Sequence, residues 1–272
     1  MTDIASLRDR LLASLRALDS CAVAYSGGVD SAVVAKAAAV ALGERALAVT
    51  GVSNSLAAGE LDLARQTAAQ IGIRHLVVNT DEFAQPAYLR NAPDRCYHCK
   101  TELYTQLESR LTEWNVGWIV NGANVDDLGD YRPGMQAAQE HHVRSPLAEC
   151  GLTKDDVRRL AADWKLPVWD KPAAPCLSSR VAYGLEVTPE RLSRIDRAEV
   201  WLRAQGLAEC RVRYHPGDLA RIEVPGSALP RLAADELRRE LVAAFRGLGF
   251  KFVTLDLEGF RSGSLNNLLT IG

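Results

Sequence analysis

Ser26-Gly27-Gly28-Val29-Asp30-Ser31 is the stretch from which the rest of the chain is read. An apolar run, Cys21-Ala22-Val23-Ala24-Tyr25, leads into it, and a helix-like run from Ala32 to Leu42 leaves it. A strand feeding a glycine-rich turn that opens a helix makes a phosphate cradle. The glycines let backbone N–H groups come close to the anion, and the helix N-terminus adds partial positive charge. Ser26 and Ser31 add hydroxyl donors, and Asp30 suits a Mg²⁺ ion held against the phosphates. The Gly-Lys-Ser/Thr ending of a Walker loop is missing, which argues against a kinase or GTPase.

Outward from this turn the chain alternates. Ile4, Leu7, Leu11, Leu15 and Leu18 recur at helical spacing ahead of it, with Asp3 as the cap. Ala46 to Val52 and Arg74 to Val78 read as further apolar strands, separated by a helix over Ala57 to Ile71. This β-α-β-α-β order predicts an α/β fold, a Rossmann-like parallel sheet with helices on both faces. Ligands in such sheets bind outside the carboxyl ends of the strands, where the glycine turn sits.

Asp81 to Lys100 reads as an irregular connection holding Arg95-Cys96-Tyr97-His98-Cys99-Lys100, with a helix from about Cys99 to Trp114. A loop of that length is usually functional. Trp118-Ile119-Val120 is the next strand, ending in Asn121-Gly122-Ala123-Asn124-Val125-Asp126-Asp127. Asp126 or Asp127 there could serve Mg²⁺ or a ribose, or could simply cap a turn. Arg144 to Leu147 reads as a short strand end, and Thr153 caps a helix to about Lys165.

Leu166 to Arg180 contains three prolines and excludes a regular helix or central strand. It holds Asp170, Lys171, Cys176 and Arg180; cations near a thiol raise its thiolate fraction. Past it the pattern changes to helix (Thr188 to about Gln205), hairpin (Cys210–Tyr214 and Leu219–Val224), helix (Ala234–Leu248) and strand (Lys251–Leu257). The expected division is therefore residues 1–182 and a small α+β domain over 183–272. Arg211 and Arg213 share one strand face, and Arg261 lies in the tail Gly259 to Asn266, a set that suits a substrate phosphate.

Composition narrows the classes. The 272 residues are 47% hydrophobic and 24% charged, with a net charge of −2 from 32 basic and 34 acidic residues. That balance favours a small-molecule substrate over nucleic acid. No run of 18 apolar residues is present, and the first residues do not read as an export signal, so a cytoplasmic protein with no membrane partner is expected. The six cysteines, Cys21, Cys96, Cys99, Cys150, Cys176 and Cys210, then serve chemistry or packing and not a disulfide framework. Cys21, Cys150 and Cys210 lie in apolar or element-end contexts that suit packing.

Ser-Gly-Gly-x-Asp-Ser resembles the pyrophosphate loop of the ATP pyrophosphatases. Taken with Arg-Cys-Tyr-His-Cys-Lys at 95–100, Asn-Gly-Ala-Asn-Val-Asp-Asp at 121–127, Pro-Cys-Leu-Ser-Ser-Arg at 175–180, Arg-Val-Arg at 211–213 and Gly-Phe-Arg-Ser-Gly-Ser-Leu-Asn at 259–266, the chain resembles the ATP-dependent sacrificial sulfur transferases of the LarE family over essentially its whole length. The resemblance implies adenylation of the ring carboxylates of pyridinium-3,5-biscarboxylic acid mononucleotide and their conversion to thiocarboxylates, a step towards the nickel-pincer nucleotide cofactor of lactate racemase. It implies a nucleotide held by Ser26, Gly27, Gly28, Asp30, Ser31, Gly122, Asp126 and Lys171. Mg²⁺ falls to Asp30, the substrate phosphate to Arg211, Arg213 and Arg261, and the assembly is implied to be homo-oligomeric.

Two sulfur routes occur in the family. In one, the cysteine matching Cys176 gives up its sulfur and becomes dehydroalanine. In the other, three cysteines hold a 4Fe–4S cluster whose open iron carries an extra sulfide. Cys96, Cys99 and Cys176 form a three-cysteine set, so the cluster route is expected here. The sacrificial route stands second, and a disulfide or zinc site at Cys96 and Cys99 third. The sulfide source is not written in the sequence. Other classes share the loop: tRNA thiolases, which would normally carry added basic or zinc-ribbon modules; amide-forming synthetases, which do not require Cys176; and nucleotide sensors, which would not explain the cysteine set.

Overall fold

The computed structural model describes residues 3–129 and 133–261. The stretch Ser262–Asn266 of the last motif lies outside the described residues. Two compact units divide the chain. The first takes residues 1–53, 59–82 and 96–174; the second takes 54–58, 83–95 and 175–272. The second unit thus begins ahead of the expected 182/183 boundary and recruits two earlier segments.

In the first unit, α1 (Ile4–Arg16) precedes β1 (Cys21–Ala24), α2 (Val29–Leu42), β2 (Ala46–Val52), α3 (Glu60–Ile71) and β3 (Arg74–Asn79). Then come α4 (Arg95–Glu108), whose first residue is counted with the second unit, β4 (Trp118–Val120), α5 (Pro133–Glu140) and α6 (Lys154–Asp163). The strands form a parallel sheet in the order β3-β2-β1-β4. Both faces are covered, and the strands show it residue by residue. Cys21, Val23, Ala46 and Ala48 join a core with α1, α2, α3 and α6. Ala22, Leu47 and Val49 join the opposite core with Tyr104 and Leu107 of α4 and Ala137 and Ala138 of α5. Period-two alternation between two buried faces explains why these strands are continuous apolar runs.

Two expectations are corrected here. The connection over 81–100 is not irregular throughout: it holds short helical turns at Glu82–Ala84 and Pro86–Leu89, and α4 already begins at Arg95. Cys96 and Cys99 therefore sit on the first helical turns. Arg144 makes a single parallel bridge to Val120, after which Pro146 opens a helical turn, Pro146–Glu149, because proline suits a first helical position.

The second unit contains α7 (Pro189–Ala204), β5 (Arg211–His215), β6 (Leu219–Glu223), α8 (Asp235–Gly247) and β7 (Phe252–Leu255). β5 and β6 form the expected antiparallel hairpin, and β7 joins β6 in parallel. Val212, Tyr214, Ala220 and Ile222 are buried, as are Leu192, Ile195 and Ala198 of α7 and Phe245 of α8. Arg211, Arg213 and His215 alternate with Val212 and Tyr214 and so project from the other face.

Candidate active site

The glycine turn is knitted by its own side chains. Ser31 Oγ lies 3.2 Å from the backbone N–H of Ser26, from which it accepts, and donates to the Gly28 carbonyl at 3.1 Å. Ser26 Oγ accepts from the Gly28 N–H at 3.3 Å and lies 3.2 Å from Ser31 Oγ. Gly27 has φ +73°, and a Cβ there would stand 2.9 Å from Ala64 Cβ of α3. Glycine is required twice over, by backbone and by space. Gly28 caps α2 without a side-chain bond. The N–H groups of Val29, Asp30 and Ser31 open the helix and have no acceptor within it, which makes this helix start suited to an anion. From beneath, Thr50 Oγ1 donates to the Tyr25 carbonyl at 2.8 Å.

Asp30 points away from the turn into a polar group. Asn124 Nδ2 donates to one carboxylate oxygen at 3.1 Å, and Lys154 Nζ forms an ion pair with the other. Sequence reasoning placed Asn124 in a turn and Thr153 as a helix cap, and missed the convergence of Asn124 and Lys154 on Asp30. No local signal links them, since they stand 94 and 124 positions from Asp30 along the chain. Gly122 is explained more sharply. A Cβ there would lie 2.7 Å from the Ser31 nitrogen and 3.0 Å from the Asp30 carbonyl carbon, so only glycine lets the β4 turn close on the start of α2. Asp126 accepts from the Lys154 N–H at 2.8 Å and so caps the start of α6. Lys171 Nζ is 2.7 Å from Glu60, on α3 one turn before Ala64.

Among the cysteines, burial pushes the Cys21 thiol up to about 12 and the Cys210 thiol to about 11, and raises that of Cys150. These fit packing roles. Cys96 is exposed, Cys99 and Cys176 half-buried. Cys96 and Cys99 are three residues apart on one face of α4. Cys176 belongs to the second unit. Among the described residues no three His, Cys, Asp or Glu side chains are gathered as a metal ion would need.

Cys176 caps the helical turn Leu177–Arg180. Arg180 is buried, and its guanidinium donates to the Pro175 carbonyl and, at 3.0 Å, to that of Cys176. The cation grips the backbone on either side of the Cys176 nitrogen. Arg213 is also buried, bonded to Glu223 at 2.8 Å and to the Ser179 carbonyl at 3.2 Å. Arg211 stacks over Phe260 at 5.1 Å; burial, then the nearby Arg180, pulls its pKa below the usual arginine value. Arg261 pairs with Glu258 at the surface. Arg211 and Arg213 share a face as expected, while Arg261 is held in its own local ion pair.

A parallel sheet whose first strand ends in this serine–glycine turn, with an acid on the opening helix, defines an ATP pyrophosphatase of the pyrophosphate-loop class. Residues 5–110 match the asparagine synthase family. An uncharacterised protein of Synechocystis sp. is 49% identical over 253 residues, 93% of this chain and 94% of that protein. The pyridinium-3,5-bisthiocarboxylic acid mononucleotide synthase of Lactiplantibacillus plantarum is 36% identical over 273 residues, 99% of this chain and 97% of the synthase. A tRNA-specific 2-thiouridylase of Rickettsia africae is 28% identical over 55% of this chain and 51% of its own length. The chain belongs to the family of the L. plantarum synthase, and it is an enzyme of the pyrophosphate-loop class. Among the described residues no helix is long and apolar enough to cross a membrane.

Proposed function

We propose that this enzyme converts the ring carboxylates of pyridinium-3,5-biscarboxylic acid mononucleotide to thiocarboxylates at the expense of ATP. The observation that carries the reading is similarity across the whole chain to a synthase of that name, together with an intact glycine turn and Cys176. Pairing with a partial match to tRNA thiouridylases supports sulfur as the group transferred.

In this reading the nucleotide is held by Ser26, Gly27, Gly28, Asp30 and Ser31, with Gly122 and Asp126 shaping the facing turn and Lys171 nearby. A ring carboxylate oxygen attacks the α-phosphorus of ATP, the bond to the β-phosphate oxygen breaks, and pyrophosphate leaves. N–H donors aimed at the β- and γ-phosphates stabilise the charge that gathers there. Mg²⁺ fits Asp30 once Lys154 releases its carboxylate, and it would neutralise the same charge. The acyl-adenylate then carries AMP as leaving group, which a bare carboxylate lacks, and sulfur attacks the acyl carbon. Arg211, with Arg213 and Arg261, supplies the positive charge for the substrate phosphate. Cytoplasmic action and a homo-oligomer belong to the same reading.

For the sulfur, Cys176 attacks and forms a thioester as AMP leaves; loss of its α-proton and cleavage of the Cβ–S bond then release the thiocarboxylate and leave dehydroalanine. A second reading, a 4Fe–4S cluster on Cys96, Cys99 and Cys176 fed by external sulfide, is favoured by the exposed Cys96 one helical turn from Cys99. One experiment tests both. Protein purified without oxygen is assayed for iron and acid-labile sulfide, then turned over with ATP and substrate and weighed intact. No iron and loss of H₂S at Cys176 supports the sacrificial route. Iron and sulfide with an unchanged Cys176 mass supports the cluster. ATP consumption without any thiocarboxylate overturns the function itself.

A further inference from the structure

A carboxylate in the middle of a buried helix face needs a reason. Glu199 of α7 is 1% exposed, among Ile195, Ala198 and Leu202. Burying a charge there is unfavourable unless it is paired and hydrogen-bonded. Its partners are specific. Oε1 accepts from Arg180 Nε at 3.1 Å and from the Val212 N–H at 3.1 Å; Oε2 accepts from Arg180 Nη2 at 3.4 Å and faces Arg203 at 3.6 Å. One side of the Arg180 fork is thus fixed by Glu199, and the remaining nitrogen, Nη1, takes the carbonyls of Pro175 and Cys176. Through Val212 the same carboxylate is tied to β5, the strand that carries Arg211 and Arg213.

The rest of the turn is held in the same manner. Buried Arg95 donates to the Ser178 carbonyl at 2.8 Å, and Arg213 to that of Ser179. A peptide fixed at the carbonyls before and after the Cys176 nitrogen cannot rotate about its own axis, so the Cα–Cβ direction of Cys176 is set by the guanidinium plane. A lysine could keep the charge opposite Glu199 but could not fork to both carbonyls at once.

We propose that Glu199, acting through Arg180, is a positioning residue that fixes the direction in which Cys176 presents its thiol relative to the arginine strand β5. The proposal rests on the reading above only in taking Cys176 as the seat of sulfur transfer.

The test uses the full chain with Arg180→Lys and, separately, Glu199→Gln. Alkylation by iodoacetamide is followed by mass spectrometry at three cysteines without ATP or substrate: Cys176 as the reporter, exposed Cys96 as the reference, and fully buried Cys210 as the sentinel of the fold of the second unit. The expected result is a Cys176 rate altered on the order of tenfold, with Cys96 unchanged and Cys210 still protected; first-turnover sulfur transfer falls ~10- to 100-fold while the KM for ATP in pyrophosphate release stays the same. An unchanged Cys176 rate in both variants overturns the proposal. So does Cys210 becoming reactive along with Cys176 in both, which would make the pair structural only. Alkylation needs no turnover, so failure of the assigned reaction in the native enzyme is told apart from failure of this proposal.

Discussion

The turn at 26–31 is held by its own residues, whereas the turn at 175–180 is held by arginines that arrive from far along the chain. In the first, Ser26 and Ser31, five positions apart, bond each other and the backbone between them. In the second, Arg95 reaches across 83 positions to Ser178 and Arg213 across 34 to Ser179, while Arg180, paired with Glu199, turns back on Pro175 and Cys176. In the function proposed above, the contrast follows from what each turn must do. A phosphate cradle works through backbone donors, so its sequence has only to bend the chain and leave those donors free. A reacting thiol sits on one side chain, and aiming one side chain takes fixed points outside the turn.

The comparison can be broken most forcefully at Cys176. Cys176→Ala is expected to abolish thiocarboxylate formation while pyrophosphate release with ATP and substrate continues, measured in parallel assays. Loss of both would mean that the two turns are not separable in function. Next in size are the glycines of the first unit. Gly122→Ala and Gly27→Ala place a methyl carbon 2.7 and 2.9 Å from neighbouring atoms, the second at a positive φ as well. Since a displacement of about 1 Å can cost ~10²-fold, pyrophosphate release should fall by about that factor, while Cys176 alkylation by iodoacetamide stays as in the native chain. Equal loss of Cys176 behaviour would blur the distinction.

Smaller changes sharpen it. Thr153 caps α6 reciprocally with Asp156 and so fixes the backbone from which Lys154 reaches Asp30. Thr153→Ala should lower stability by ~1 kcal/mol in denaturant unfolding and weaken ATP binding modestly, leaving sulfur transfer from a preformed acyl-adenylate unchanged. Smallest is a pH effect in the second unit. Hydrogen bonding from Lys251, then from Tyr214, holds Asp218 at about 2, below its usual 3.8. A lowered carboxylate pKa stabilises the fold above pH ~4, and that contribution is lost as pH falls towards ~2. Asp218→Asn should therefore reduce the melting temperature slightly at neutral pH, and the deficit should shrink as pH falls through ~2.

Much of the fold was legible because it is written locally. The apolar runs at Cys21, Ala46 and Arg74, the leucine spacing of α1 and the Thr188-Pro189 start of α7 each name their element by period or cap. The segment 81–95 was misread because its short helical turns, Glu82–Ala84 and Pro86–Leu89, end too quickly to leave a period to detect. Within the candidate site, Ser26 to Ser31 could be read directly, since glycine and serine chemistry at that spacing has few other uses. Arg180 and Cys176 were singled out together, yet the grip of the arginine on carbonyls could not be foreseen. Asn124 and Lys154 meet Asp30 across 94 and 124 positions, a distance over which sequence pattern carries no register.

By itself, then, the amino-acid sequence determined the parallel sheet, the phosphate-binding turn and the family, because periodicity, turn chemistry and motif order are properties of neighbours along the chain. Only the tertiary structure decided which groups meet Asp30, why position 122 must be glycine, that Cys96 and Cys99 ride on a helix, and that a buried glutamate on α7 pairs with the arginine bonded to the cysteine turn. Those facts depend on distances between remote segments. Such distances are set by how the cores pack, and no single stretch of sequence encodes them.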